Sequence, residues 1–209
     1  MNGALLEAFR HNSWATRQLL AFCRDLSEEQ LAASATGTYG SIRATFNHIV
    51  LSEGRYLRRL AGDAPAWVDH ADEAELDELD ELAAWTEEAG QRWARFLSEP
   101  VDAERVVVVD DGALEVRAGV IVAQALHHGN AHREQICAVL TTLGVEPPDI
   151  QPWGVRVGDG ADVGTNRLAC LGPTGGDQWT SAVAPLPLSL TAGPRRGGTP
   201  PRARLGCPG

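Results

Sequence analysis

The amino-acid sequence predicts an all-α protein with one small β-hairpin and a Gly/Pro-rich tail. Four long stretches place apolar residues at helical steps of three and four. A single short segment, Arg105 to Arg117, alternates instead around an Asp-Gly pair. Regular periodicity of either kind ends near residue 150.

The first helix is expected over Gly3 to Leu26, with Leu5, Leu6, Phe9, Trp14, Leu19, Leu20 and Phe22 on its apolar side. Ser27-Glu28-Glu29-Gln30 has the form of a capping box, which predicts a short helical turn. A small-residue loop, Ser34 to Gly40, then delivers the chain to Ser41, a good N-cap. The next helix, Ile42 to Leu60, turns Ile42, Phe46, Ile49, Tyr56, Leu57 and Leu60 inward. His48 stands at the edge of that stripe, near Thr45 and Ser52. Gly62 to Asp72 reads as a loop containing Pro65, and Asp72 with Glu75 as the cap of a third helix. Leu76, Leu79, Ala83, Thr86, Gly90, Trp93 and Leu97 form one seam along it, flanked by the core residues Trp85 and Phe96. Pro100 ends the pattern. Arg105 to Arg117 (RVVVVDDGALEVR) is expected to fold as a hairpin that must lie against helices, because two strands alone are marginal. The last helix spans Ala118 to Leu143 and stops at Gly144, with Pro147 and Pro148 blocking continuation.

With 209 residues, 44% hydrophobic and 22% charged, the chain fits one domain over residues 1–155 and an extension over residues 156–209. No apolar run approaches the roughly 18 to 20 residues of a membrane span. The N-terminus lacks the charged start, apolar run and cleavage site of a signal peptide, so a cytoplasmic location with no membrane partner is expected. A net charge of −10 disfavours nucleic acid as a partner. The four cysteines contain no C-x-x-C pair, which fits a reduced protein. Residues 151–209 hold 12 of the 22 glycines and 8 of the 12 prolines, a composition too poor in apolar surface to offset ordering. A disordered tail is expected there.

Chemistry is concentrated in the last helix. His128 and His132 are one turn apart on one face, the spacing of paired metal ligands, and they lie along the stripe made by Ile121, Ala125, Ile136 and Val139. Such a pair also arises by chance on solvated helices, but here uncoordinated rings would be costly to bury. Gln124 and Gln135, each about a turn away, are placed to orient the rings by hydrogen bonding, although each read singly is ordinary surface polarity. A lone His48 would be a packed core-edge residue; beside the pair it becomes a candidate third ligand. His127 and Cys137 fall off the common face. His-Gly-Asn-Ala-His lacks the glutamate of H-E-x-x-H proteases, and Glu53 and Glu134 turn away from their neighbouring histidines, so no general base is assigned.

These residues resemble the DinB/YfiT-like superfamily of four-helix metal proteins, related to mycothiol-dependent maleylpyruvate isomerase-like proteins. The resemblance rests on Trp14-Ala15, Ser41-Ile42, Asn47-His48-Ile49 and His128-Gly129-Asn130-Ala131-His132-Arg133-Glu134-Gln135-Ile136. Leu143 to Asp149, followed by Trp153, resembles the family's ending. The chain departs from the family's pattern at Thr16 and Ala131. The resemblance implies a four-helix bundle in up-down-down-up order and homodimers. It also implies a divalent metal on His48, His128 and His132.

An ion on three histidines keeps a position open, as in catalytic sites. The ligand type favours zinc or nickel and permits manganese, iron or cobalt. The expected function is therefore a metal-dependent hydrolase or thiol transferase acting on a small molecule, the latter with a low-molecular-weight thiol as co-substrate. Two other classes stay open: a non-catalytic metal-binding, stress-associated protein, and a helical interaction module with incidental histidines.

Overall fold

A computed structural model describes residues 3–70, 78–109 and 112–154. All of them belong to one compact unit, Met1–Val163. The expected tail over residues 156–209 and the expected Asp72 cap with Glu75 and Leu76 lie outside the described residues.

The described residues are mostly helical, as the periodicity predicts. The helices are α1 (Gly3–Cys23), α2 (Glu28–Leu31), α3 (Ile42–Ala61), α4 (Trp67–His70), α5 (Leu79–Ser98) and α6 (Ala118–Thr142). Strands β1 (Val106–Val109) and β2 (Leu114–Arg117) form an antiparallel hairpin immediately before α6, in the register Val107↔Val116 and Val109↔Leu114. Among the described residues no helix is long and apolar enough to cross a membrane.

The caps read at Ser27 and Ser41 form as expected, whereas α5 starts at Leu79 with Glu78 at its N-cap and no side-chain bond there, later than a helix capped at Asp72 would. Ser27 and Gln30 exchange side chain and backbone bonds in a capping box, and the Ser41 hydroxyl accepts from the Ala44 N–H at 3.1 Å. Gly144 ends α6 at a φ of +73°, a conformation that a side chain would strain. The stretch read as a loop after Gly62 contains the one-turn helix α4. Trp67 and Val68 pack there against Gly54 of α3, where an added Cβ would stand 2.2 Å from Val68. A single turn is too short to show a helical period, which is why the pattern did not reveal it.

The core lies among α1, α3, α5 and α6. α1 packs on α5 and α6, and α3 packs on the same two helices. Phe9, Leu19, Leu20, Ile42, Phe46, Ile49, Leu57, Leu82, Trp93 and Ile136 are fully or almost fully buried. The rings of Phe9 and Trp93 lie 4.2 Å apart. On α5 the deepest seam runs through Leu82 and Ala89, one position from the expected Ala83 and Gly90.

The hairpin also starts α6. The first N–H groups of a helix have no partner within it. Here the Ala118 and Gly119 N–H groups donate to the carbonyls of Arg105 and Ala103, at 2.8 and 3.0 Å. Arg105 in turn donates to the Leu60 carbonyl at the end of α3, at 2.6 Å. The starting point of α6 is thereby tied to α3, the helix that carries His48.

Replacing Ser41→Ala removes the cap of α3 and is expected to cost about 1 kcal/mol of stability. Chemical denaturation checks this, and an unchanged midpoint would show that the cap bond contributes nothing.

Candidate metal centre

His48 sits on the second turn of α3, and His128 and His132 sit one turn apart in the middle of α6. All three are half-buried. The packing of α3 on α6 brings them together. His128 Nε2 and His48 Nε2 are 2.9 Å apart, so one nitrogen donates to the other. Ring centroids are separated by 4.7 Å for His48 and His128, 4.9 Å for His48 and His132, and 4.4 Å for His128 and His132. One nitrogen from each ring lies within 4.8 Å of the other two.

Four-coordinate zinc with bonds of 2.0 to 2.1 Å holds its nitrogens about 3.3 Å apart. The observed spread, from 2.9 Å to within 4.8 Å, brackets that value, so small ring rotations suffice. The electrostatics also suit a cation. Burial, followed by the neighbouring imidazoles of His132, His48 and His127, lowers the His128 pKa to about 3. Its ring is therefore neutral at ordinary pH, which is the state that ligates.

The two glutamines occupy different places. Gln135 Oε1 is 2.9 Å from His132 Nδ1, so that nitrogen carries the proton and Nε2 is left with the free lone pair. Gln124 instead lies beside Tyr56, whose ring meets His128 edge-on at 5.8 Å. His128 Nδ1 is buried without a hydrogen-bond partner. His127 is exposed and outside the cluster. Burial pushes the thiols of Cys23 and Cys137 up to about 12 and about 11, so both stay protonated and neither offers a thiolate.

Behind the histidines lies a polar network that periodicity did not reveal. Arg133, only 1% exposed, donates from Nη1 to the Asn12 side chain at 2.9 Å and to the Thr16 hydroxyl at 2.9 Å, and from Nη2 to Asn130. Asn12 donates in turn to Glu53. Burial raises the Glu53 carboxyl above its usual range, against the pull of Arg133 and the bond from Asn12. It also lowers Arg133 to about 10, against the opposing charge of Glu53. Glu53 is thus committed to the core, where Asn12 bonds it. Thr16, a departure from the family pattern, serves as one of the acceptors of Arg133.

Gly129 explains why the helices approach so closely. A Cβ at that position would stand 2.5 Å from Asn12 Oδ1 and 3.0 Å from Arg133 Nη1. A cleft of about 710 Å³ opens beside the network, lined by His11, Asn12, Asn130, Arg133 and Ile150 among others, and it includes none of the three clustered histidines.

The DinB family model matches residues 1–156. Protein DinB of Bacillus subtilis (strain 168) is 21% identical over 152 residues, which cover 69% of this chain and 88% of that protein. A DinB-like protein from Bacillus cereus ATCC 10987 superposes with a TM-score of 0.57 at 15% identity, over 72% of this chain and 97% of its own. A DinB-like protein from Bacillus subtilis gives 0.51 at 16% identity, over 71% and 98%. At these identities the structural likeness is one of fold.

In an ordinary helix interior, Gly→Ala stabilises by about 0.8 to 1 kcal/mol. Gly129→Ala is expected to destabilise by about 1 to 3 kcal/mol, because Asn12 cannot retreat without losing its partners. Denaturation settles the sign, and a stabilised variant would refute the close approach. The pH dependence of Glu53 gives a second expectation. Its folded pKa is raised, so its contribution to stability is full below the unfolded value of about 4.3 and declines as pH rises through the folded value. Glu53→Gln removes that decline, and its melting temperature should fall less than that of the wild type as pH rises from 4 towards neutrality. Parallel curves would contradict the raised pKa.

Proposed function

We propose, from the premise that this chain belongs to the DinB family, that it is a divalent-metal protein acting on a small molecule as a hydrolase or thiol transferase. The ligands are His48, His128 and His132, and the ion is zinc or nickel in the first instance, with manganese, iron or cobalt compatible with the same nitrogens. The observation that carries this reading is the convergence of three imidazoles from two segments 80 residues apart, one of them held neutral by burial.

The scaffold in this reading is a four-helix bundle of α1, α3, α5 and α6 in up-down-down-up order. Its support is the ring of contacts in which each helix packs on two others, with α1 opposite α3 and α5 opposite α6. The working protein is a cytoplasmic homodimer, with no nucleic acid or membrane as partner.

A divalent ion bound there supplies Lewis acidity, and so gives water or a low-molecular-weight thiol its nucleophilic form near neutral pH. The protein's own residues hold and orient. Gln135 fixes the proton of His132 on Nδ1, burial keeps His128 neutral, and the Asn12, Glu53 and Arg133 network fixes α6 against α1 and α3. No side chain of this chain is assigned a proton-transfer role.

The test uses full-length protein without a histidine tag. Elemental analysis is expected to find one divalent ion per chain in the wild type and none in His128→Ala or His132→Ala. Added metal at a hundred times its dissociation constant should stabilise the wild type by about 2.7 kcal/mol and leave the variants unchanged. Thiol-dependent and ester-hydrolysis assays then choose the reaction class, and activity that persists after chelation would contradict the mechanism.

A further inference from the structure

The loop between α2 and α3 carries one aromatic residue, Tyr39, which is 49% exposed. Half-exposed tyrosines are common, but this one is engaged on three sides. Its ring lies on that of His48 with centroids 4.0 Å apart and planes 17° from parallel. The same ring meets His132 edge-on at 5.4 Å. Its backbone N–H donates to Gln135 Oε1 at 3.0 Å, the oxygen that also accepts from His132 Nδ1 at 2.9 Å.

The backbone that delivers Tyr39 is itself held. The Thr38 N–H donates to the Ala35 carbonyl at 3.2 Å, and its hydroxyl donates to the same carbonyl at 2.8 Å and accepts from the Ala35 N–H at 3.2 Å. The Ile42 N–H donates to the Ala33 carbonyl at 3.1 Å, closing the loop onto the start of α3. Tyr39 is thus presented to the histidines by a braced turn.

We propose that Tyr39 is a positioning residue for the metal centre. Its ring sets the rotation of His48, and its N–H holds the glutamine oxygen that orients His132. One residue thereby aligns a ligand on α3 with a ligand on α6. An imidazole on α3 has two free torsions, and both must be set for its nitrogen to aim at the rings of α6. Stacking against a fixed neighbour sets them before an ion arrives, so less ordering remains to be done on binding. This inference rests on the three-histidine reading above.

Cobalt(II) is the probe, because its visible absorption reports ligand geometry. The metal-free full-length chain is titrated with cobalt(II) in competition with a chromophoric chelator, for the wild type, Tyr39→Ala, Tyr39→Leu, Tyr39→Phe and His128→Ala. Loss of the ring in Tyr39→Ala is expected to weaken binding by about ten-fold to a hundred-fold, the range for groups that orient metal ligands, and to alter the absorption band. Tyr39→Leu, which keeps apolar bulk without a flat face, should behave like Tyr39→Ala and serves if the smaller variant fails to fold. Tyr39→Phe keeps both the ring and the N–H and should restore wild-type affinity and spectrum. Wild-type affinity and spectrum in a folded Tyr39→Ala or Tyr39→Leu would overturn the proposal, as would a Tyr39→Phe variant as impaired as Tyr39→Ala. A wild type that binds no better than His128→Ala would instead refute the three-histidine centre, and the role of Tyr39 with it.

Discussion

The contact on which the rest depends is the approach of α6 to α1 and α3 around Gly129 and Arg133. Apolar seams alone leave neighbouring helices free to settle at more than one register, since hydrophobic contact is non-directional. Hydrogen bonds to a buried arginine are directional. Arg133 is satisfied by Asn12 and Thr16 on α1, while Asn12 also holds Glu53 on α3. A shift of one turn along α6 would leave a buried guanidinium and a buried carboxyl without these partners, at a cost of several kcal/mol. The network therefore selects one alignment, and in that alignment His128 and His132 face His48.

This division of labour fits the chemistry proposed for the site. The buried charged groups Glu53 and Arg133 are spent on the alignment of the helices. Burial holds Cys23 and Cys137 as neutral thiols, so neither of these two supplies a sulfur nucleophile. What remains around the cluster is three imidazoles, two phenol rings and a glutamine. Such a set can hold and orient a cation, and in the proposed chemistry the ion activates the nucleophile.

Much of this was legible from periodicity and caps. The four long helices, the hairpin around the Asp-Gly pair, the caps at Ser27 and Ser41 and the stop at Gly144 all follow from local rules that act within a few residues. The proximity of His48 to the pair on α6 needed the family resemblance, because spacing within one helix says nothing about which segment lies opposite. The buried network left a trace that apolar counting passes over. Asn12, Glu53 and Arg133 each occupy a position where the apolar stripe of their helix should continue: between Phe9 and Thr16, between Val50 and Leu57, and between Gly129 and Ile136. A base, an acid and an amide interrupting three separate stripes are the signature of a buried polar cluster. Tyr39 left no such trace, since an irregular loop carries no period, and α4 was hidden by its length.

The central claim concerns the donor set, and X-ray absorption at the zinc edge of the full-length chain loaded with one equivalent of zinc tests it most directly. Three imidazole nitrogens at about 2.0 to 2.1 Å are expected, with the remaining scattering from oxygen. A sulfur shell at about 2.3 Å, or fewer than three imidazoles around the ion, would contradict it.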